Sequence, residues 1–183
     1  MKKRNSMKLG SVAVLVGLTV LPASVFPCGD KLIVVARGQR MGVGRNAPHR
    51  GAILLYANSG SSVAAALKSA QLKKGLERAG HRVRTVTTRP DLRTALGSST
   101  YDLVLADPQA VPDVAADMKG TPSASTVIPT MFDPSEADLK AARSGLTCVV
   151  KSKGSNSDYL SVVNGVLTER AKARESERDS KKS

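Results

Sequence analysis

Short apolar runs alternate with amphipathic stretches along most of this chain, from residue 52 to residue 170. Most of the runs are continuously apolar, which is typical of strands buried on both faces of a parallel sheet. They predict five strands, at Ala52–Ala57, His81–Thr88, Asp102–Ala106, Thr126–Met131 and Thr147–Val150. The amphipathic stretches predict helices at Val63–Ala79, Pro90–Leu96, Val111–Met118, Pro134–Ser144 and Ser157–Arg170.

Strands that alternate with helices pair in parallel through right-handed crossovers. We therefore expect an α/β domain over residues 52–170, with a doubly wound, five-stranded parallel sheet between two layers of helices. In such folds, ligands and chemistry lie at the carboxyl ends of the strands. The segments predicted at that edge are Ala57–Ser62, Asp107–Pro108, Thr130–Asp133 and Lys151–Lys153.

The two ends of the chain lack this alternation. Residues 28–51 are rich in glycine and arginine, and they predict an irregular basic arm. Residues 171–183 are charged and present no apolar face, so we expect a disordered tail there.

The first 27 residues have the layout of a secretory signal peptide. A basic stretch, Lys2–Lys8, precedes the uncharged apolar run Leu9–Leu21, and Pro22 and Ala23 follow it. A helix that spans a bilayer needs about 20 apolar residues, and this run is shorter. We therefore expect export to the periplasm or the medium.

Two alternatives to simple cleavage stay open at this N-terminus. Residues 9–26 could stay uncleaved as a membrane anchor, and Cys28, which Gly29 follows, could carry a lipid. Cys28 and Cys148 are the two cysteines of the chain, and an exported protein could oxidise them to a disulfide. We favour an inert core thiol for Cys148, since it falls in a predicted buried strand.

Composition narrows the classes of partner and cofactor. The net charge is +13, yet residues 52–168 hold thirteen basic and ten acidic side chains, so most of the basicity is peripheral. The chain has three Tyr, two Phe and no Trp, which argues against base stacking and against a flavin. We expect no specific nucleic acid and no cofactor, and membrane contact only through the N-terminal segment.

Several motifs in residues 52–168 resemble the receiver domains of bacterial response regulators. The motifs are Gly80–Val83 before the second strand, Tyr101–Asp107 (YDLVLAD) at the third, Thr130 at the fourth, and Ala141–Gly145 and Lys151 at the fifth. The resemblance places Asp107 at the phospho-acceptor position, Thr130 at the switch position and Lys151 at the position of the strand-five lysine.

The same resemblance implies that the phosphorylation chemistry is lost. Ala57 and Asn58 occupy the positions where receivers place the two acidic residues that hold Mg²⁺. Phosphoryl transfer without that metal lacks its main charge neutralisation. We therefore expect the protein to have no enzymatic activity and no metal site. We also expect a salt bridge between Asp107 and Lys151 in place of a phosphorylation switch.

The function that follows is that of an exported pseudo-receiver that binds another protein of the cell envelope, of unknown identity. Receivers usually engage partners through the face that corresponds to Pro134–Val150 here. A minimal lobe of a solute-binding protein is a third interpretation, but a single lobe lacks the two-domain cleft.

The main alternative is a flavodoxin-like protein that binds an anionic or phosphate-bearing ligand. Its site would be the hydroxyl-rich loop after the first strand, made of Asn58, Ser59, Gly60, Ser61 and Ser62. The N–H groups at a helix N-terminus favour anions. Ordinary helix capping explains the same residues. The only histidines, His49 and His81, form no metal-ligand spacing with the cysteines.

Overall fold

The computed structural model describes residues 49–121, 125–146, 149–152 and 155–181. The predicted signal peptide, almost all of the predicted arm, Cys28 and Cys148 lie outside the described residues, so our predictions for them stay predictions. No helix in the described ranges is long and apolar enough to cross a membrane.

Five parallel strands form one sheet in the order β2-β1-β3-β4-β5. The strands are β1 (Ala52–Tyr56), β2 (Arg82–Val86), β3 (Leu103–Ala106), β4 (Thr126–Phe132) and β5 (Val150–Ser152). The parallel α/β architecture expected from the sequence is therefore confirmed. The last strand begins at Val150 rather than at Thr147, which lies outside the described residues together with Cys148.

Six α-helices connect and cover the strands in the described residues. They are α1 (Ser62–Ser69), α2 (Leu72–Arg78), α3 (Arg89–Ser98), α4 (Val111–Met118), α5 (Glu136–Gly145) and α6 (Asn156–Ser180), and the 3₁₀ helix Pro108–Ala110 precedes α4. Helices α1, α2 and α6 pack on one face of the sheet, and α3 and α4 pack on the other.

The central strand shows how the two cores form. Ile53 and Leu55 belong to the cluster with α1, α2 and α6, whereas Leu54 and Tyr56 belong to the cluster with α3 and α4. This is the two-residue alternation of a strand buried on both sides. Because both faces of β1 are buried, every residue of the strand is apolar or aromatic, which is why the sequence shows a continuous apolar run there.

The helix predicted at Val63–Ala79 is two helices in the structure. Gln71 adopts a left-handed backbone conformation, with φ of 47°, between α1 and α2. The chain changes direction there, and Leu72 and Leu76 of α2 are fully buried in the cluster with α6. Burial of these leucines outweighs the cost of the left-handed residue, which side-chain periodicity alone does not reveal.

The C-terminal tail also differs from expectation, because α6 continues through the charged residues to Ser180. Lys172 pairs with Glu169 at 2.9 Å along the helix. Arg174 donates to Oδ1 of Asp102, at the start of β3, at 3.1 Å. The second contact joins residues far apart in sequence, so local composition could not predict it.

Candidate functional site

The carboxyl edge of the sheet brings together four of the five residues that the receiver resemblance singled out. Tyr56 pairs with Ala106, and Ala106 pairs with Pro129. The next residues along these strands, Ala57, Asp107 and Thr130, therefore form one row at the strand ends, and Asn58 follows Ala57. The topology thus builds the edge at which ligands bind in such folds.

Asp107 uses both carboxylate oxygens to hold backbone groups. Its Oδ2 accepts the N–H of Ser62 at 3.0 Å, and its Oδ1 accepts the N–H of Gln109 at 3.2 Å. Ser62 is the first residue of α1, and Gln109 lies in the 3₁₀ helix. A carboxylate is stabilising at helix N-termini because of their exposed N–H groups and positive dipole end. Asp107 therefore caps two helical segments and fastens α1 to β3.

Thr130 lies in the same row, and its side chain is fully buried. Its hydroxyl donates to the carbonyl of Ile128, two residues earlier in the same strand, at 3.0 Å. The hydroxyl is thus bound within β4 and does not reach Asp107. Strand β4 ends at Phe132, one residue beyond the predicted end at Met131.

The side chain of Lys151 points away from the face of the sheet on which Asp107 binds α1. Thr130 pairs with Val150, and Val150 is buried in the cluster with α1, α2 and α6. Because side chains alternate along a strand, Lys151 points to the other side, as does its partner Met131. No ion pair joins Lys151 to Asp107 in the described residues, so the expected salt bridge is not formed.

Ala57 and Asn58 provide no carboxylate beside Asp107. Ala57 is buried in the apolar cluster, and the side-chain oxygen Oδ1 of Asn58 is buried without a hydrogen-bond partner. The described residues contain no cluster of three or more His, Cys, Asp or Glu side chains that could hold a metal ion.

The hydroxyl-rich loop, Asn58–Ser62, is occupied by contacts from the protein itself. Ser61 accepts the N–H of Ala64 at 3.1 Å as the N-cap of α1, and Asp107 accepts the N–H of Ser62. The N–H of Ser61 donates to the carbonyl of Asn58 at 3.0 Å. Ser59 and Gly60 are exposed, and Gly60 has a positive φ of 76°, which suits a tight turn. Three N–H groups that an anion could use, those of Ser61, Ser62 and Ala64, are thus already bound.

A groove of about 290 Å³ opens beside this edge, between α5 and the segment that leads into α4. We call it the α5 groove; its apolar walls and floor include Pro108, Pro112, Met131, Ala141, Ala142 and Leu146. The sequence singled out Pro134–Val150 as a partner face, but it did not reveal Pro108, Pro112 or Met131. Residues from three separate segments meet here, and only the tertiary fold brings them together.

Two carboxylates, Asp107 and Asp138, also line the α5 groove. Asp138 accepts hydrogen bonds from the N–H and the hydroxyl of Ser135 through Oδ2, in a capping box at the start of α5. The hydroxyl and backbone hydrogen bonds from Ser135 hold the pKa of Asp138 below its usual value. Asp138 is therefore negative at neutral pH.

These features define a class of fold. Five parallel strands between layers of helices make this an α/β protein with a flavodoxin-like three-layer arrangement. No family model matches the chain, and neither the curated proteins nor the solved structures contain a significant match.

Proposed function

We propose that this protein is a non-catalytic, receiver-like domain that acts by binding another protein and transfers no phosphoryl group. The observation that carries the proposal is the role of Asp107, whose two oxygens each accept a backbone N–H. At the position where the receiver resemblance expects a phospho-acceptor, the chain uses a carboxylate as a structural cap.

The surroundings of Asp107 support the loss of phosphotransfer. Phosphorylation would turn one carboxylate oxygen into the bridging oxygen of an acyl phosphate, which is a much weaker acceptor, and would therefore weaken the hydrogen bond from the N–H of Ser62 or Gln109. Ala57 and Asn58 offer a methyl group and an amide where Mg²⁺ would need carboxylates. The hydroxyl of Thr130 and the ammonium of Lys151 are directed elsewhere.

The α5 groove supports protein binding as the remaining function. It is concave and mainly apolar, and it lies on the face that the receiver resemblance associates with partners. Exposed apolar concavities of this kind mark interaction sites more often than scattered surface residues do.

Phosphotransfer is tested with acetyl phosphate and Mg²⁺, followed by mass spectrometry of the intact chain and of its peptides. We expect no phosphoryl adduct on Asp107. The variant Asp107→Asn keeps one acceptor oxygen and loses the other, so it should lose about 1 kcal/mol of stability in urea unfolding. Asp133→Asn is the matched control at the end of β4, where the exposed side chain makes no hydrogen bond in the described residues. A phosphoryl group mapped to Asp107 would contradict the proposal.

Protein binding is tested by cross-linking the full chain in the envelope fraction of its own organism and identifying the adducts. We expect one protein to be enriched over an unrelated bait of similar size and charge. An adduct set that matches that of the control bait would contradict this part of the proposal.

We propose that the protein works outside the cytoplasm, with residues 1–27 as its export signal. The basic stretch Lys2–Lys8 followed by the apolar run Leu9–Leu21 supports this address. Fusion of these residues to a reporter that is active only after export should give activity, and Leu15→Arg, which places a charge inside the apolar run, should abolish it. Mass spectrometry of the N-terminus separates cleavage from retention of residues 9–26 and from lipidation at Cys28. An inactive fusion would contradict the proposed address.

A further inference from the structure

The α5 groove exists because α5 is held by a single buried side chain in its described part. Leu139 packs on Met131 and Val149, while the other described side chains of α5 are exposed or partly exposed. The small side chains of Ala141 and Ala142 form one wall of the groove, and Pro108 and Pro112 also line it. The apolar floor is thus left accessible beside α5.

The volume and lining of the groove fit side chains better than a polar metabolite. A dry cavity of about 150 Å³ accepts one benzene ring, so 290 Å³ accommodates about two aliphatic side chains. The lining is mainly alanine, proline, methionine and leucine, with few donors that could orient a polar ligand.

The charges at the groove are opposite in sign to the charge of the chain. Asp107 and Asp138 line it, and no lysine or arginine is among the described residues that line it. Oδ2 of Asp138 binds Ser135, while its Oδ1 accepts no hydrogen bond from the described residues. The chain as a whole carries a net charge of +13. The acidic side chains favour a cationic partner segment, whereas two copies that each carry +13 repel one another, which disfavours a second copy of the chain.

We propose that the α5 groove receives an amphipathic helix of a different protein, which inserts apolar side chains over Met131 and places a lysine or arginine near Asp138. The inference rests on the proposed protein-binding function and specifies the chemistry of its partner. Apolar anchors on one helical face are the usual way in which a helix fills such a groove. The cation supplies orientation and association rate, and the anchors supply most of the affinity.

Two glycines allow a sharp test, because each lies in a helix with open space where a Cβ would be added. Gly145 lines the groove at the end of α5, and Gly165 lies on α6, which packs on the other face of the sheet. Leucine at either position improves helix propensity and meets no neighbour within 4 Å at its Cβ. Gly145→Leu therefore fills the groove, and Gly165→Leu is its matched control.

The probe is a synthetic amphipathic helical peptide with two leucines four residues apart and a neighbouring lysine, titrated into the labelled full chain by NMR. We expect shifts at the Met131 methyl group and at the Leu146 amide. Gly145→Leu should weaken binding about tenfold or more, while Gly165→Leu should bind like the parent protein. Asp138→Asn, or glutamate for lysine in the peptide, should weaken binding a few-fold at low salt.

Three outcomes would overturn the inference: undiminished binding to Gly145→Leu, shifts that map away from the groove, or equal binding of the lysine and glutamate peptides. A dimer of the chain that Gly145→Leu dissociates would assign the groove to a second copy, also against the inference. The cross-linking experiment separates the two proposals. A specific partner that still binds Gly145→Leu leaves protein binding intact while the groove assignment fails.

Discussion

The surroundings of β1 and those of α5 represent two ways of attaching structure to the same sheet. Every residue of β1 is buried, and leucines of α2 and α3 reach it from both sides. In α5, by contrast, Leu139 is the only buried side chain among those described, and the other buried residues described in its cluster are Met131 and Val149. The dense region specifies the fold, whereas the sparsely packed region leaves an accessible groove. We therefore expect substitutions around β1 to change mainly the stability of the protein, and substitutions along the α5 groove to change mainly its binding.

Equivalent truncations of leucine in the two regions should lower the free energy of unfolding by different amounts. Leu55→Ala should cost about 4 kcal/mol, since a fully enclosed site cannot collapse around the cavity. Leu139→Ala should cost about 2 kcal/mol, because α5 can move inward and fill part of the space. Urea unfolding followed by circular dichroism measures both. Equal losses of stability would contradict this prediction, since they would mean that α5 is as firmly enclosed as β1.

A second prediction concerns pH and belongs to the dense region. His81 is buried, its Nδ1 accepts the N–H of Gly51 at 3.3 Å, and its Nε2 therefore carries the proton that bonds Oδ1 of Asn164 at 3.1 Å. Burial lowers the pKa of His81 from 6.5, and the bond to Asn164 opposes this only in part.

Protonation of His81 is thus easier in the unfolded chain than in the folded one. Because the unfolded state binds the proton first, stability should be full above pH 6.5 and should fall as pH decreases through the lowered pKa of the folded state. Urea midpoints measured at steps from about pH 7.5 to about pH 5.5 test this. His81→Gln should lower stability overall and remove that slope. A slope unchanged in His81→Gln would assign the effect to another group.

The sequence predicted the dense region well for a physical reason. A strand buried on both faces must be apolar at every position, so β1 and β3 stand out as continuous runs. The turn after β1 is equally local, because Ser61 caps a helix that begins one residue later. These elements need no knowledge of distant neighbours.

The candidate site was less predictable, because it depends on register and on contacts between distant residues. Lys151 lies within β5, next to Val150, and a shift of one position in the register changes the face on which a side chain lies. The bond from Ser62 to Asp107 spans 45 residues, and no sequence pattern distinguishes a capping aspartate from an acceptor. The α5 groove likewise requires the packing of α5 against segments that precede it.

The contact between Arg174 and Asp102 shows how far the dense region around β1 extends along α6. Arg174 bonds Asp102, whose other oxygen accepts the N–H of Ala52 at 2.9 Å, so the charged end of α6 is tied to the start of the sheet. Both partners are partly exposed, and such a pair contributes about 0.5 kcal/mol. Arg174→Ala should therefore leave global unfolding almost unchanged and speed hydrogen exchange of the amides beyond residue 171.

Lys172→Ala is the control, since it removes only the pair with Glu169 within the helix and keeps the tie to Asp102. Its tail amides should exchange almost as slowly as those of the parent protein. If the parent tail already exchanges like an unfolded peptide, the contact with Asp102 does not hold the helix in solution. The dense region would then end near Leu167, which is the last buried residue of α6.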